Sequence, residues 1–199
     1  MSDALPASLV ELAADRVRDD ILSGRLEPGA KIVEETLCAD LGISRGPLRE
    51  ALRLLTQQSP ADVLQLFELR GVLERHAIES TFPLGDPETE LEPVRRALVA
   101  MQAARGGLQR DDAHRAFHAS VVGLAVNRQL DITLAPVLLK LQLPMARNLR
   151  EEARRQHTVQ EGIRRHEELV DALETNEPEL IVKALHEHGH LSYLDLPAD

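Results

Sequence analysis

Aliphatic residues recur at helical spacing along most of this chain, and this pattern limits the possible folds more than any other feature of the sequence. In residues 60–80, apolar side chains fall three or four positions apart, which leaves Glu68, Arg70, Glu74 and Arg75 for the solvent side. Similar runs between Pro and Gly breaks predict further helices at about residues 90–105, 109–125, 128–156, 159–175 and 178–192.

Two further features of the sequence shape the expected fold. Pro136 and Pro144 fall inside the run at 128–156 and are expected to interrupt it. Phe, Trp and Tyr make up only 2% of the residues, so the core must be built largely from aliphatic side chains, which favours helix-on-helix packing over a sheet. The sequence therefore predicts an all-α fold, in which residues 59–199 form an antiparallel bundle of about six helices.

Residues 37–52 predict two short helices joined by a tight turn. Gly42 can take the positive φ that ends the first helix. Ser44 suits the N-cap of the second helix, where its hydroxyl can accept from an orphan amide, and Pro47 falls in the first turn, where a missing N–H costs little. This is the outline of a helix-turn-helix, whose second helix reads base edges in the major groove of DNA.

The second of these helices carries a row of arginines. Arg45, Arg49 and Arg53 repeat every four residues, away from the Leu residues that point inward. Arg can pair with guanine or clamp a phosphate, so Ser44, Arg45 and Arg49 are the residues that we expect to contact DNA. Such a row is also common on a helix that simply faces solvent, so the row alone leaves both interpretations open.

The residues before this motif make the pattern more specific. Residues 17–32 combine an amphipathic helix with a Gly stop and a Pro-Gly turn. Residues 9–56 as a whole resemble the N-terminal domain of the GntR family of bacterial transcription regulators. In that family a two-stranded wing follows the second helix, whereas here residues 54–58 run straight into Ser59-Pro60, which open another helix. Either this protein lacks the wing, or a segment is absent from the sequence.

The net charge gives no support to DNA binding by bulk attraction. The formal net charge is −10, and residues 1–58, the predicted DNA-binding domain, contain seven Lys and Arg against ten Asp and Glu. A local basic face can still bind DNA, because charges are screened beyond about 10 Å at ordinary salt. We therefore expect a modest and salt-sensitive affinity for DNA.

The cellular setting is also constrained by the sequence. Cys38 is the single cysteine, which excludes an internal disulfide framework. No segment is apolar enough for a membrane span or a signal peptide. We therefore expect a cytoplasmic protein with no membrane partner.

Histidine is concentrated on three of the predicted helices in the second part of the chain. His114 and His118 are one turn apart on one helix, which makes half of a metal site. Two more His from two other helices would complete four nitrogen ligands, a set that suits zinc or nickel. A lone buried His is more often a hydrogen-bonded core residue, so spacing alone does not decide. The six residues on these helices are His114, His118, His166, His186, His188 and His190.

A second resemblance bears on these histidines. Phe117-His118, Asn127 and the run from His166 to Leu173 resemble the FCD ligand-binding domain of the FadR subfamily of GntR regulators, over about residues 60–192. The resemblance implies a helical pocket that binds a small effector, often an organic acid whose carboxylate completes the coordination of a metal ion. A homodimer is also expected, since two-fold pairing of DNA-binding domains matches palindromic half-sites.

The resemblance also implies a set of metal ligands. In that family an Asp and three His commonly hold the metal, and the three His positions fall on His118, His166 and His188. The Asp position falls on His114, so a four-His site is implied, which should prefer zinc or nickel to manganese. Asp111 could instead serve as a ligand, or accept a hydrogen bond from a His N–H. His186 and His190 are expected on the outer side of the last helix.

These features together indicate a transcription regulator whose operator binding responds to a small carboxylate effector in a metal-containing pocket. The sequence shows no H-E-x-x-H motif, no Gly-rich phosphate loop and no context for a Ser or Cys nucleophile, so enzyme activity is not expected. Two alternatives remain open. One is a metal-dependent helical enzyme, and the other is a helical interaction protein that has lost DNA binding together with its wing.

Overall fold

Every described element of the structure is an α-helix, which confirms the all-α prediction. In this computed structural model the described residues are 8–23, 25–26, 32–55, 60–105, 107–154 and 159–188. The chain divides into two compact units, residues 1–57 and 58–199. The first unit contains α1 (Leu9–Leu22), α2 (Glu34–Leu41) and α3 (Arg45–Leu54). The second contains α4 (Pro60–Thr81), α5 (Pro87–Glu90), α6 (Glu92–Ala103), α7 (Gly107–Gly123), α8 (Arg128–Arg154), α9 (Val159–Glu174) and α10 (Pro178–His188).

The first unit is built on the packing of α1 against α3. Ser8 begins α1 by accepting a hydrogen bond from the Glu11 N–H, while the Glu11 carboxylate accepts one from the Ser8 N–H. Because α3 is held through its Leu and Ala residues, its arginine face is left exposed. The apolar residues buried in this unit are Ala13, Ala14, Val17, Leu48, Ala51, Leu54 and Leu55.

The connections on either side of α3 are short. Gly42 ends α2 with a φ of 63°, a conformation that residues with a Cβ adopt only under strain. Ser44 then takes the extended backbone of an N-cap. Helix α3 ends at Leu54 and α4 begins at Pro60, and no strand of a wing occurs among the described residues.

The main core of the second unit joins α4, α6, α7, α9 and α10. Its fully buried side chains include Ile78, Phe117, Leu169, Leu173 and Ile181. A smaller apolar cluster packs α8 against α4 and α7. Each large apolar side chain that is fully buried contributes about 1.5–3 kcal/mol, so these clusters fix the helices that carry the histidines.

Asn176 joins two connections of the second unit. It has a φ of 58° at the turn between α9 and α10. Its Oδ1 accepts a hydrogen bond from the Leu84 N–H at 2.7 Å, and its Nδ2 donates one to the Leu84 carbonyl at 3.1 Å. One side chain therefore satisfies both backbone polar groups of a buried residue and ties this turn to the loop after α4.

The predicted break at Pro136 and Pro144 is wrong, because α8 is one helix that contains both residues. A Pro in a helix interior removes a hydrogen bond and costs about 3 kcal/mol. Leu134 and Leu138, which are buried against α4 and α7, show that tertiary packing outweighs this cost. Neither α8 nor any other helix among the described residues is both long and apolar enough to cross a membrane.

The helix predicted at about residues 90–105 is α6, and a short additional helix, α5, precedes it. Asp86 accepts a hydrogen bond from the Thr89 N–H and Pro87 begins this separate turn of helix. The end of the last helix was expected at about residue 192, which lies outside the described residues, and α10 is described as far as His188.

Candidate functional site

Helix α3 presents its N-terminal end to solvent. Ser44, Arg45 and Arg49 are all exposed there. Ser44 occupies the N-cap as predicted, but its hydroxyl makes no capping hydrogen bond, so the predicted role of that hydroxyl is wrong. The three residues expected to contact DNA therefore share one exposed end of a helix.

Two of the three arginines on this face are paired with carboxylates. The Nε of Arg49 lies 3.0 Å from Oε2 of Glu34 on α2, and Nη2 of Arg53 lies 2.5 Å from Oε1 of Glu50. Within the described part of the chain, Arg45 has no carboxylate partner. Exposed ion pairs contribute only about 0–1 kcal/mol, so a phosphate or a base can displace Glu34 from Arg49 at little cost.

Four His rings from three helices of the second unit meet in one cluster, which we call the His cluster. His114 and His118 lie on α7, His166 on α9 and His188 on α10. The ring centroid of His114 is 4.6 Å from that of His118 and 5.0 Å from that of His166. The ring of His188 is 4.4 Å from His166 and 5.3 Å from His118. Ligand nitrogens of His114, His118 and His166 all lie within 4.8 Å of one another.

Backbone carbonyls fix two of these rings. Nδ1 of His166 lies 2.6 Å from the Gly162 carbonyl oxygen, and Nδ1 of His188 lies 3.3 Å from the Arg165 carbonyl oxygen. Because a carbonyl only accepts hydrogen bonds, both Nδ1 atoms carry the proton and both Nε2 atoms offer a lone pair. The Nε2 of His166 is buried and has no hydrogen-bond partner among the described residues, so its lone pair can bind a metal ion.

A buried carboxylate fixes the third ring. Nδ1 of His118 lies 2.7 Å from Oε1 of Glu74, and both side chains are almost wholly buried. This directs Nε2 of His118 toward Nε2 of His114, at 3.2 Å. Burial raises the pKa of Glu74, and the neighbouring Arg70 opposes that shift. A carboxylate behind a His in this way is the usual means of orienting a metal-binding imidazole.

Burial keeps the rings of the His cluster neutral. It lowers the pKa of His166 to about 4. It also lowers the pKa of His114, His118 and His188 well below the usual range, and positive charge on Arg70 and on the neighbouring rings lowers the pKa values further. Since a His ligand must be neutral, these rings can take up a cation near pH 7 without first losing protons.

The His cluster fits a metal ion that prefers nitrogen ligands. Around a tetrahedral zinc with Zn–N distances of about 2.0–2.1 Å, two ligand nitrogens lie about 3.3 Å apart. The separation of 3.2 Å between the Nε2 atoms of His114 and His118 agrees with that value. The unpartnered Nε2 of His166 and the all-nitrogen donor set agree with a late first-row divalent ion.

The other candidate ligands lie apart from these nitrogens. Asp111 is buried and lines the same cavity as His114, but its carboxylate, like the ring nitrogens of His188, is not one of the ligand atoms that all lie within 4.8 Å of one another. His186 is exposed on α10, as expected for the outer side of that helix. His190 lies outside the described residues.

A small cavity opens beside His114. Arg70 forms part of its wall, and so do polar and aliphatic side chains from α7 and α8. Two arginines on the cavity wall can pair with an anion such as a carboxylate, although the buried Asp111 adds one negative charge to the same wall. The residues that line it are Arg70, Asp111, His114, Arg115, Leu138, Leu141 and Gln142.

The prediction that Arg70 and Glu74 face solvent is wrong, since they are only 4% and 1% exposed. Both fall at the same alternating spacing of three and four residues as Val63 and Ala77, which are buried. That spacing is visible in the sequence and places the two charged residues on the inner face of α4. The charge of the side chains, rather than their position, led to the wrong assignment.

Two family models match this chain. The model described as bacterial regulatory proteins, gntR family, matches residues 9–75, and the model of the FCD domain matches residues 65–191. The two matches follow one another in the order that the sequence predicts.

Individual relatives agree with these matches. The chain is 30% identical over 198 residues to the probable D-xylose utilization operon transcriptional repressor of Paenarthrobacter nicotinovorans. The matched region covers 88% of this chain and 84% of that protein. The chain is 22% identical to the gluconate operon transcriptional repressor of Bacillus subtilis strain 168, over 88% of this chain and 79% of that protein. Among solved structures, a GntR transcriptional regulator from Rhodococcus sp. RHA1 has a TM-score of 0.69 at 23% identity and covers 96% of this chain and 98% of its own, which shows a common fold.

Proposed function

Because this chain belongs to the GntR family of bacterial regulatory proteins and carries an FCD domain, we propose that it is a homodimeric regulator and that a small carboxylate effector controls its binding to operator DNA. The matched families and relatives are transcription regulators, so the chain is a regulator rather than an enzyme. In this proposal residues 1–58 bind DNA in the cytoplasm, and residues 59–199 bind the effector and form the dimer. The observation that carries it is that His114, a member of the His cluster, also lines a cavity whose wall includes Arg70 and Arg115.

Ser44, Arg45 and Arg49 are the proposed DNA contacts. They lie at the N-terminal end of α3, which is the part of the second helix of a helix-turn-helix that reaches base edges. The helix dipole adds partial positive charge at the same end. Since the described residues include no strand of a wing that could add contacts, and since the net charge is −10, the operator affinity should be modest and should fall steeply as salt rises.

The proposed metal is zinc or nickel, and the proposed ligands are His114, His118, His166 and His188. The three nitrogens of His114, His118 and His166 support this choice most directly, and His188 supplies the adjoining ring. A metal bound there supplies positive charge next to the cavity. That charge would attract a carboxylate and hold it in a fixed orientation.

A small organic acid is the proposed effector. Arg70 and Arg115 on the cavity wall can pair with the carboxylate. One relative takes its name from D-xylose utilization and another from the gluconate operon. Gluconate carries a carboxylate, so the second name is consistent with an acid as the signal.

The DNA contacts are tested by a gel shift with the DNA that flanks the gene of this protein. Arg45→Ala and Arg49→Ala should each weaken binding about 10-fold or more, since a lost base or phosphate contact costs about 1–3 kcal/mol. Arg53→Ala is the matched control, because Arg53 lies on the same face of α3, about two turns after Arg45, and pairs with Glu50. Its effect should stay within about threefold.

Two outcomes of the gel shift would count against this assignment. Unchanged operator binding by the Arg45→Ala/Arg49→Ala double variant would show that α3 is not the reading helix. A wild-type protein that retains no promoter fragment at low salt would favour a helical interaction protein without DNA binding.

A further inference from the structure

Arg70 lies between the cavity and the His cluster. Its side chain is 4% exposed and lines the cavity, and its Nε lies 3.4 Å from Oε1 of Glu74. Glu74 in turn accepts the hydrogen bond from Nδ1 of His118 at 2.7 Å. A single chain of contacts therefore joins the cavity wall to one of the proposed metal ligands.

The Arg70 guanidinium is not fully satisfied by Glu74. Its Nε is buried and donates no hydrogen bond within the described residues, even though the carboxylate is close. Its Cζ lies 4.9 Å from the ring centroid of Phe67, which supports the side chain without supplying an acceptor in the plane of the guanidinium. A buried donor without an acceptor costs about 1–3 kcal/mol, and a carboxylate in the cavity can supply the missing acceptor.

The charge of Arg70 reaches every ring of the His cluster. It contributes to the lowered pKa of His114, His118, His166 and His188, so it disfavours positive charge on all four rings. The same field opposes a divalent cation held by these rings. A carboxylate in contact with Arg70 would cancel most of that field, because the two opposite charges then act together as a nearly neutral pair.

From these contacts we propose that Arg70 is a positioning residue through which anion binding in the cavity and metal binding at the His cluster strengthen each other. When a small carboxylate pairs with Arg70, the Glu74 carboxylate interacts with His118 alone. The repulsion between the Arg70 charge and the metal ion also becomes weaker. By linkage, the metal must raise the affinity for the carboxylate by the same factor. This inference rests on the proposed function, since it needs both the metal site and the anion site.

The test measures the zinc affinity of the full chain by competition with a chromophoric chelator, with and without acetate. Acetate is the probe because it is small and binds zinc weakly in solution. For the wild type, saturating acetate should tighten zinc binding about 5- to 50-fold. For Arg70→Gln, acetate should change the affinity by no more than about twofold, and zinc binding without acetate should equal or exceed that of the wild type. A purely structural role for Arg70 would instead weaken zinc binding in this variant.

Three further variants complete the design. Arg75→Gln is the matched control, because Arg75 lies on the same helix as Arg70 but is exposed and does not line the cavity, so the acetate effect should be that of the wild type. Arg70→Lys keeps the charge and should keep part of the acetate effect. If Arg70→Gln fails to fold because Glu74 is left as an uncompensated buried charge, the Arg70→Met/Glu74→Gln double variant removes both charges and should also show no acetate effect.

The outcomes separate this inference from the proposed function. Two results would overturn the role of Arg70 and leave the metal site standing. One is zinc binding by the wild type that acetate does not change, and the other is a full acetate effect in Arg70→Gln or in the double variant. Failure of the wild type to bind zinc at all would overturn the metal site of the proposed function, and the role of Arg70 with it.

Discussion

At the scale of single residues, the two sites differ in how firmly their side chains are held. Arg45 and Arg49 are exposed, and the carboxylate partner of Arg49 is easily displaced. His118 and His166 are buried, and each has its Nδ1 fixed by an acceptor. The arginines can therefore adapt to a DNA surface, whereas the imidazoles are oriented before any metal arrives.

This difference predicts the outcome of removing single ligands. His118→Ala and His166→Ala should each bind zinc at least about 10-fold more weakly than the wild type, because each removes an oriented nitrogen from a small ligand set. The measurement is the zinc content of the purified chain after dialysis against a defined free zinc concentration. His186→Ala is the control, since His186 is exposed on α10 and should leave the zinc content unchanged. Equal zinc content in all three variants would show that the His cluster is not the metal site.

Single residues also show where the sequence stops being predictive. The spacing of His114 and His118 could be interpreted directly, because two positions four apart must share a helix face. The spacing of Arg70 and Glu74 also puts them on the inner face of α4, but their charge argued against burial. Charged side chains are usually exposed, and only the opposing charge of the partner and the donor from His118 make their burial tolerable.

At the scale of elements, short-range chemistry explains several helix ends. Gly42 ends α2 with a positive φ, and Asp86 with Pro87 begins α5, because backbone preferences act over one turn. Pro136 and Pro144 were misleading for the opposite reason. Their local cost is overcome by packing against α4 and α7, which are distant in the sequence.

The turn between α9 and α10 allows a prediction at this scale. Asn176→Ala should lower the free energy of unfolding by about 2–4 kcal/mol, because it strains a positive φ and leaves the buried Leu84 N–H without an acceptor. Asn176→Gly is the matched variant, since it keeps the positive φ without strain and loses only the hydrogen bonds. Its loss should be about half as large, measured by urea unfolding followed by circular dichroism. Equal stability of all three proteins would show that the bonds to Leu84 contribute nothing.

At the scale of the whole molecule, the proposed function requires the second unit to influence the DNA affinity of the first. A ligand can shift an equilibrium only by its difference in affinity for the two states, so occupation of the His cluster must favour one DNA-binding state over the other. The sequence indicated both domains and their order, because each carries a local motif. It could not indicate the wall of the cavity, which side chains from α4, α7 and α8 form together.

The most direct test is the operator affinity of the full chain, measured by fluorescence anisotropy with zinc, with a chelator, and with zinc restored. The wild type should change its affinity at least about fivefold on chelation and recover it when zinc returns, which is the size expected of an allosteric coupling. His118→Ala should bind the operator with one affinity under all three conditions. Operator binding by the wild type that is the same with and without zinc would contradict control through the His cluster.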